Sequence, residues 1–241
     1  MKRIKSILAL AAMMTCLSGK GYADDIFKGV RGPSNWQIDT RAGFSSNEKG
    51  LESITSTAII KYWDGEDSGK WFFITIPYKS IRDAKGSSDG IGDITVGGGP
   101  RFKIGKANIM PYLSVTLPAG IIGNKRFDES IGANATYLYK DFDVDITFQH
   151  TFTGESKSGF NPPDETYFGI ITGGKLTDEI RGGIGSTITI KSNGDYLNRI
   201  KTILRYSLSK RVHIELVGEK GITSKNIPLD YAVSAYVRWN L

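Results

Sequence analysis

The residues of this sequence best suited to chemistry are few. His150 and His213 are its two histidines, and its single cysteine is Cys16. His150 stands in an alternating run with Val144, Ile146, Phe148 and Phe152. The neighbour two residues on is Phe152, so no serine is offered as a nucleophile within hydrogen-bond reach. In an extended chain His213 shares a face with Glu215. That gives a base and its orienter with no nucleophile evident. Two histidines so far apart do not make a His-rich metal site. Asp128 and Glu129, placed on a loop, are weak candidates for a divalent cation. Gly97–Gly99 opens no helix and so cradles no phosphate. The sequence therefore predicts no catalytic residue, no metal set and no cofactor, and its remaining chemistry is that of charged side chains on strands.

Those strands are read from period-two alternation. Val144, Ile146, Phe148, His150 and Phe152 share one face, against Asp143, Asp145, Thr147, Gln149 and Thr151 on the other. The C-terminal run repeats this, with Tyr231, Val233, Ala235, Val237, Trp239 and Leu241 opposite Asp230, Ser234, Tyr236, Arg238 and Asn240. Twelve such segments follow, near 35–44, 53–62, 71–79, 91–104, 109–118, 130–140, 143–153, 165–174, 179–190, 197–208, 211–218 and 229–241. Most have the length a tilted strand needs to cross a bilayer. Tight connections at 105–108, 140–142, 175–178 and 209–210 largely alternate with longer ones near 80–90, 119–129, 154–164 and 219–228, as short periplasmic turns alternate with longer outer loops. The fold class expected is all-β: a transmembrane antiparallel β-barrel of about twelve strands in an up-and-down meander, both termini periplasmic. Pro77, Pro100 and Pro111 fall inside proposed strands, where each removes a ladder donor; bulges near Gly97–Pro100 are expected to absorb them.

The N-terminus reads as an export signal. Lys2, Arg3 and Lys5 precede the apolar stretch Ile7 to Met14, and Gly21-Tyr22-Ala23 supplies small residues for cleavage after Ala23. Lipidation at Cys16 is the competing reading, disfavoured by Met13-Met14-Thr15 before it. The expected organisation is a signal peptide over 1–23, a periplasmic lead-in over 24–33 and the barrel over 34–241. Of 31 basic residues four lie in the signal, leaving 27 against 25 acids, a net of +2. The high isoelectric point thus comes largely from the signal, and nucleic acid is not an expected partner. With 39% hydrophobic residues and no apolar run of about 18, a membrane-spanning helix is excluded, whereas a barrel needs apolar residues only at alternate positions.

Parity then assigns the faces. Ile38, Ile60, Ile74, Val96, Leu113, Ile146, Ile184, Leu204 and Ile214 look outward, with no Lys, Arg, Asp or Glu in mid-strand. Outward aromatics gather at two depths: Trp36, Tyr62, Phe72, Phe102, Tyr139, Tyr206 and Trp239 at one rim, Phe44, Tyr78, Phe152, Phe168 and Tyr231 at the other. A soluble sandwich or lipocalin-like barrel, burying its apolar face, has no need of two such belts. The opposite face would line a lumen. Arg41, Asp93, Arg101, Arg181, Arg199, Lys201, Arg205, Glu215 and Arg238 are the candidate lumen and solute-pathway residues. Arg199, Lys201 and Arg205 share one strand face, either as a basic ladder selecting anions or as partners of acids that stiffen the wall.

Gly90-Ile91-Gly92-Asp93-Ile94-Thr95-Val96-Gly97-Gly98-Gly99-Pro100-Arg101-Phe102, followed by Pro111-Tyr112-Leu113-Ser114-Val115-Thr116-Leu117-Pro118-Ala119-Gly120, resembles the central hairpin of the outer-membrane transporters named after the meta-pathway of phenol degradation. Pro100 before Arg101 and the terminal Leu241 depart from that pattern. The resemblance implies residence in the outer membrane and uptake of small, often aromatic or apolar molecules. The partners expected are outer-membrane lipid and lipopolysaccharide, the barrel-assembly machinery and a small-molecule solute. The alternatives are a closed structural barrel acting through its outer loops and a lipid-modifying barrel hydrolase.

Overall fold

The computed structural model describes residues 36–64, 69–83, 86–122, 126–155, 161–209 and 211–241. The expected signal peptide and lead-in lie outside the described residues. Thirteen strands are found among those described: β1 (Trp36–Asn47), β2 (Glu52–Trp63), β3 (Gly69–Asp83), β4 (Gly86–Ile91), β5 (Ile94–Ile104), β6 (Ala107–Leu117), β7 (Asp128–Tyr139), β8 (Phe142–Thr153), β9 (Glu165–Lys175), β10 (Ile180–Lys191), β11 (Tyr196–Ser207), β12 (Val212–Lys225) and β13 (Asp230–Asn240). Consecutive strands pair antiparallel except β4 and β5, which both pair with β3, and β1 pairs with β13, so the sheet closes on itself. Closure removes the unpaired strand edges that an open sheet would present.

Strands β4 and β5 are two parts of one stave. Both pair with β3, and the interruption at Gly92–Asp93 lies beside Pro77. Pro77 has no N–H to give, but its carbonyl accepts from the Gly92 amide at 2.7 Å. The molecule is a closed antiparallel barrel of twelve staves. The bulge expected around Gly97–Pro100 is not there: β3 and β5 keep one register from Gly69↔Arg101 to Thr75↔Thr95. What gives way is the β5–β6 ladder, paired up to Gly98↔Leu113 and resuming at Phe102↔Ile109. The continued register sets Pro100 opposite Pro111 in that gap, so neither is asked for a donor. A register shift does occur at Asn198/Arg199 against β12.

The staves outrun the expected segments at the loop end of the barrel. Residues near 80–90, read as a connection, form a hairpin from Ser80↔Asp89 to Asp83↔Gly86. Much of 219–228 is the continuation of β12. At the opposite, turn end the two-residue hairpins at Gly105–Lys106 and Lys140–Asp141 turn with φ +60° at Gly105 and +52° at Lys140, the positive values such tight turns require.

Alternation separates the faces as expected. Leu113, Ile184, Leu204, Leu216 and Val233 stand exposed outside, with no charged residue on this face in mid-strand. The aromatic belts form: Trp36 packs on Tyr62 at the turn end (centroids 4.9 Å) and Phe44 on Tyr231 at the loop end (6.0 Å). Inside, hydroxyls, amides and charges alternate with two apolar clusters: Ile171, Ile203, Val217 and Tyr236 in one, Trp71, Phe73, Met110 and Tyr112 in the other.

Candidate functional site

The barrel interior has two unlike walls. On β2, β1, β13, β12 and β11, near the turn end, buried charges alternate in sign along one chain. Lys61 Nζ lies 3.0 Å from Asp39 Oδ2, Arg238 Nε 3.0 Å from Asp39 Oδ1, Arg238 Nη1 3.1 Å from Glu215 Oε1, and Arg205 Nε 3.8 Å from the same oxygen. Register builds this sequence: Asp39 faces Arg238 across β1–β13, and Arg205 faces Glu215 across β11–β12. The Gln37 amide donates to Asp39 at 2.6 Å. A buried charge is tolerable when each member meets its opposite and its remaining hydrogen-bonding capacity is filled. The next stave continues the pattern with Arg181 Nη2 2.6 Å from Asp143 Oδ2.

Further toward the loop end, Lys201 Nζ lies 3.2 Å from Glu219 Oε1, and Arg199 grips Asp230 with Nη2 to Oδ2 at 2.7 Å and Nε to Oδ1 at 2.9 Å. Arg199, Lys201 and Arg205 do point inward from one strand face, but each is matched by an acid, on β12 for Lys201 and Arg205 and one strand further on, on β13, for Arg199, rather than standing as a bare cationic ladder. Arg41 lays its guanidinium over the Tyr236 ring, 4.1 Å from the centroid. Asp93 is buried at the break in the fourth stave. All nine candidate residues thus point to the interior. Arg205, Glu215 and Arg238 meet in one chain with Asp39 and Lys61; Asp93 and Arg101 lie apart from it on the other wall.

That second wall is aromatic and was not anticipated. Trp71 and Phe73 stack at 5.2 Å and 22°, and Tyr112 stands edge-on to both, at 5.7 and 6.1 Å. Glycine makes the room. A Cβ on Gly97 would come within 2.6 Å of Phe73 Cζ, and one on Gly132 within 2.4 Å of Tyr112 Cζ. The Tyr112 hydroxyl donates to Gln149 Oε1 at 2.9 Å, leading into a polar strip in which Gln149 donates to Thr151 at 3.0 Å. The signal was present in the sequence: Phe72 outward obliges Trp71 and Phe73 to point inward.

The histidines differ from each other. His150 faces outward, hydrogen-bonded through Nδ1 to Thr166 Oγ1 (2.9 Å) and edge-on to Phe152. His213 is buried inside, and the cross-strand neighbour Ser207 places its Oγ 3.0 Å from Nδ1. A serine therefore does lie beside His213, supplied by β11, which the sequence alone did not bring there. Glu215, the expected orienter, is turned to Arg238 and Arg205. Asp128 is not a free loop carboxylate: it accepts from Arg126 Nε at 2.7 Å and the Gly154 amide at 3.1 Å. Among the described residues no group of three or more potential metal ligands occurs. On the loops, the amides of Asn226 and Asn193 hold Asp195 below the ordinary carboxylate range, tying the β10–β11 connection to that of β12–β13.

No protein-family model and no curated protein matches the chain by sequence. Solved structures do match its fold. The COG4313 outer membrane channel from Pseudomonas putida F1 superposes with a TM-score of 0.74 over 91% of this chain and 99% of that one, at 10% identity. The translocator domain of the autotransporter NalP from Neisseria meningitidis gives 0.62 over 100% and 96%, at 9% identity. The CymD monoaromatic hydrocarbon channel gives 0.57 over 95% and 94%, also at 9%. The architecture is that of outer-membrane barrels, several of them channels; at such identity the likeness reaches the fold alone.

Proposed function

We propose that the protein is an outer-membrane channel passing small solutes, apolar or aromatic ones among them, between a charged wall and an aromatic wall. The observation that carries this reading is the inversion of a soluble fold: an apolar exterior without charge in mid-strand and with two aromatic belts, around an interior holding most of the buried polar and charged groups. The channels among its structural neighbours support it, as does the resemblance of the β4–β6 region to the meta-pathway transporters. On this reading the protein is exported, sits in outer-membrane lipid with its loops toward lipopolysaccharide, and is inserted by the barrel-assembly machinery. Arg41, Asp93, Arg101, Arg181, Arg199, Lys201, Arg205, Glu215 and Arg238 then line the solute path.

The test is conductance of refolded residues 24–241 in a planar bilayer, paired with uptake of small aromatic solutes into liposomes. Discrete steps or solute-dependent uptake are expected. Lys201→Gln should shift ion selectivity toward cations, because it leaves Glu219 without its ammonium partner. Inserted protein that neither conducts nor takes up solute overturns the channel. A second reading, a closed barrel working through its loops, draws on the matching of the interior charges, and silence in both assays is its expected outcome. The Ser207–His213 contact lies inside the barrel, away from the lipid a barrel hydrolase would act on.

A further inference from the structure

Arg101 breaks the rule that the charged wall follows. Lys61, Arg181, Arg199, Lys201, Arg205 and Arg238 each meet a carboxylate. Arg101 is 92% buried and makes no ion pair among the described residues. Its one hydrogen bond is long, from Nη2 to Asn108 Oδ1 at 3.4 Å, and its Nη1 is enclosed with no acceptor. A second enclosed donor without an acceptor stands on the neighbouring strand: Nε1 of Trp71, a residue 95% buried. Trp71 faces Gly99 across β3–β5, and Arg101 is two residues beyond Gly99 on the same inner face. The two side chains are thus diagonal neighbours, close enough for both to reach one small ligand. Beside them stand the rings of Phe73 and Tyr112 and the thioether of Met110.

Two enclosed N–H donors on diagonal neighbours of one inner face, one of them cationic, call for an anionic acceptor, since a buried donor left unmade is unfavourable and charge-assisted bonds are the strong ones. The adjoining rings call for a flat apolar body, which stacks on aromatic faces. A few placed polar groups in an apolar lining is the usual form of a small-molecule site. We propose that Arg101 and Trp71 form a binding site for the carboxylate of a small aromatic acid, whose ring lies against Phe73, Met110 and Tyr112. This deepens the channel reading, on which the ligand's access rests; the recognition chemistry belongs to the site itself.

The test is equilibrium dialysis of the refolded barrel against labelled benzoate and, separately, benzyl alcohol, which keeps the ring and loses the charge. Benzoate should bind more tightly by about tenfold to a hundredfold, the range of a hydrogen bond to a charged group. Trp71→Phe keeps a ring and removes the N–H; it should reduce that preference, and Arg101→Gln should abolish it, with Arg101→Lys restoring part. Where a replacement fails to fold, the pH dependence of benzoate binding by the unaltered protein takes its place: the preference should vanish as the acid is protonated, and a preference that survives protonation counts against a cationic donor. Equal affinity for the two probes, or a benzoate preference untouched by both replacements, overturns the site and leaves its donors to water. Selective binding without benzoate uptake into liposomes overturns the channel and spares the site. Uptake without selective binding does the reverse.

Discussion

Asp39 is the hinge of the charged wall. Its two oxygens hold Lys61 and Arg238, each at 3.0 Å, and the side chains of all three are at most 6% exposed. Asp39→Asn keeps the shape and the hydrogen bond from Gln37 while deleting the charge between two buried cations. Removing one partner of a buried pair typically costs ~3–5 kcal/mol. Arg238 retains Glu215 at 3.1 Å, which places the expectation at the lower bound, about 3 kcal/mol, or roughly a hundredfold in the folding equilibrium. Reversible urea unfolding from lipid vesicles, followed by tryptophan fluorescence, measures it. The reasoning makes a second demand: Asp39→Asn combined with Lys61→Met should cost less than the two single changes summed, by about 1 kcal/mol or more, because the second change removes the cation that the first left stranded. A loss below about 1 kcal/mol for Asp39→Asn, or strict additivity in the cycle, would refute the view that these charges are held by one another rather than by water in an open lumen.

Gly132→Ala places a Cβ 2.4 Å from Tyr112 Cζ. It should tilt that ring off Gln149 and destabilise the barrel by about 1–3 kcal/mol in the same unfolding assay, less so in a Tyr112→Leu background. Leu113→Arg, on the lipid face in the middle of β6, should cost ~2–4 kcal/mol in vesicles. The depressed Asp195 carboxyl contributes stability that is present above its unfolded value of about 3.9 and lost as pH falls through its lower folded value. Amide exchange in the β10–β11 and β12–β13 connections should therefore quicken only at acid pH, and Asp195→Asn should remove that acid step.

What the sequence made legible is what the bilayer enforces. A strand such as β8 must put Val144, Ile146 and Phe148 outward and Asp143, Asp145 and Thr147 inward, so span, parity and belt can be read directly. Beyond the hydrocarbon that demand lapses. Gly86-Ser87-Ser88-Asp89-Gly90 has the composition of a loop yet pairs residue by residue with β3, held by backbone bonds and by the Tyr78 hydroxyl donating to Asp89 at 2.6 Å. The same holds for the far end of β12. The identity of the interior residues was legible and their partners were not, because partnership depends on register across strands far apart in the chain. Asp39 and Arg238 are brought together only by the closing β1–β13 pairing. Ser207 and His213 meet through a tight hairpin whose exact register parity alone does not give.

The two walls also differ in how the backbone is held, and this bears on where a solute would pass. From β2 through β1 to β13 the charged wall runs on continuous ladders, with ion pairs bridging neighbouring staves, and its register shifts at Asn198/Arg199, where β11 meets β12. The aromatic wall carries Pro77, Pro100 and Pro111, the stave break at Gly92–Asp93 and the lapse in the β5–β6 ladder. It has fewer inter-strand bonds to lose when a ring shifts. Gly99 lets two backbones come close on this wall: a Cβ there would lie 2.1 Å from the Pro111 carbonyl oxygen. Moving a paired charge strands its buried partner, whereas sliding an aromatic ring along its neighbours trades one set of dispersion contacts for another. On the channel reading proposed above, a small solute with an aromatic body would therefore have its lower-energy route along β3, β5 and β6, against a charged wall that stays in place.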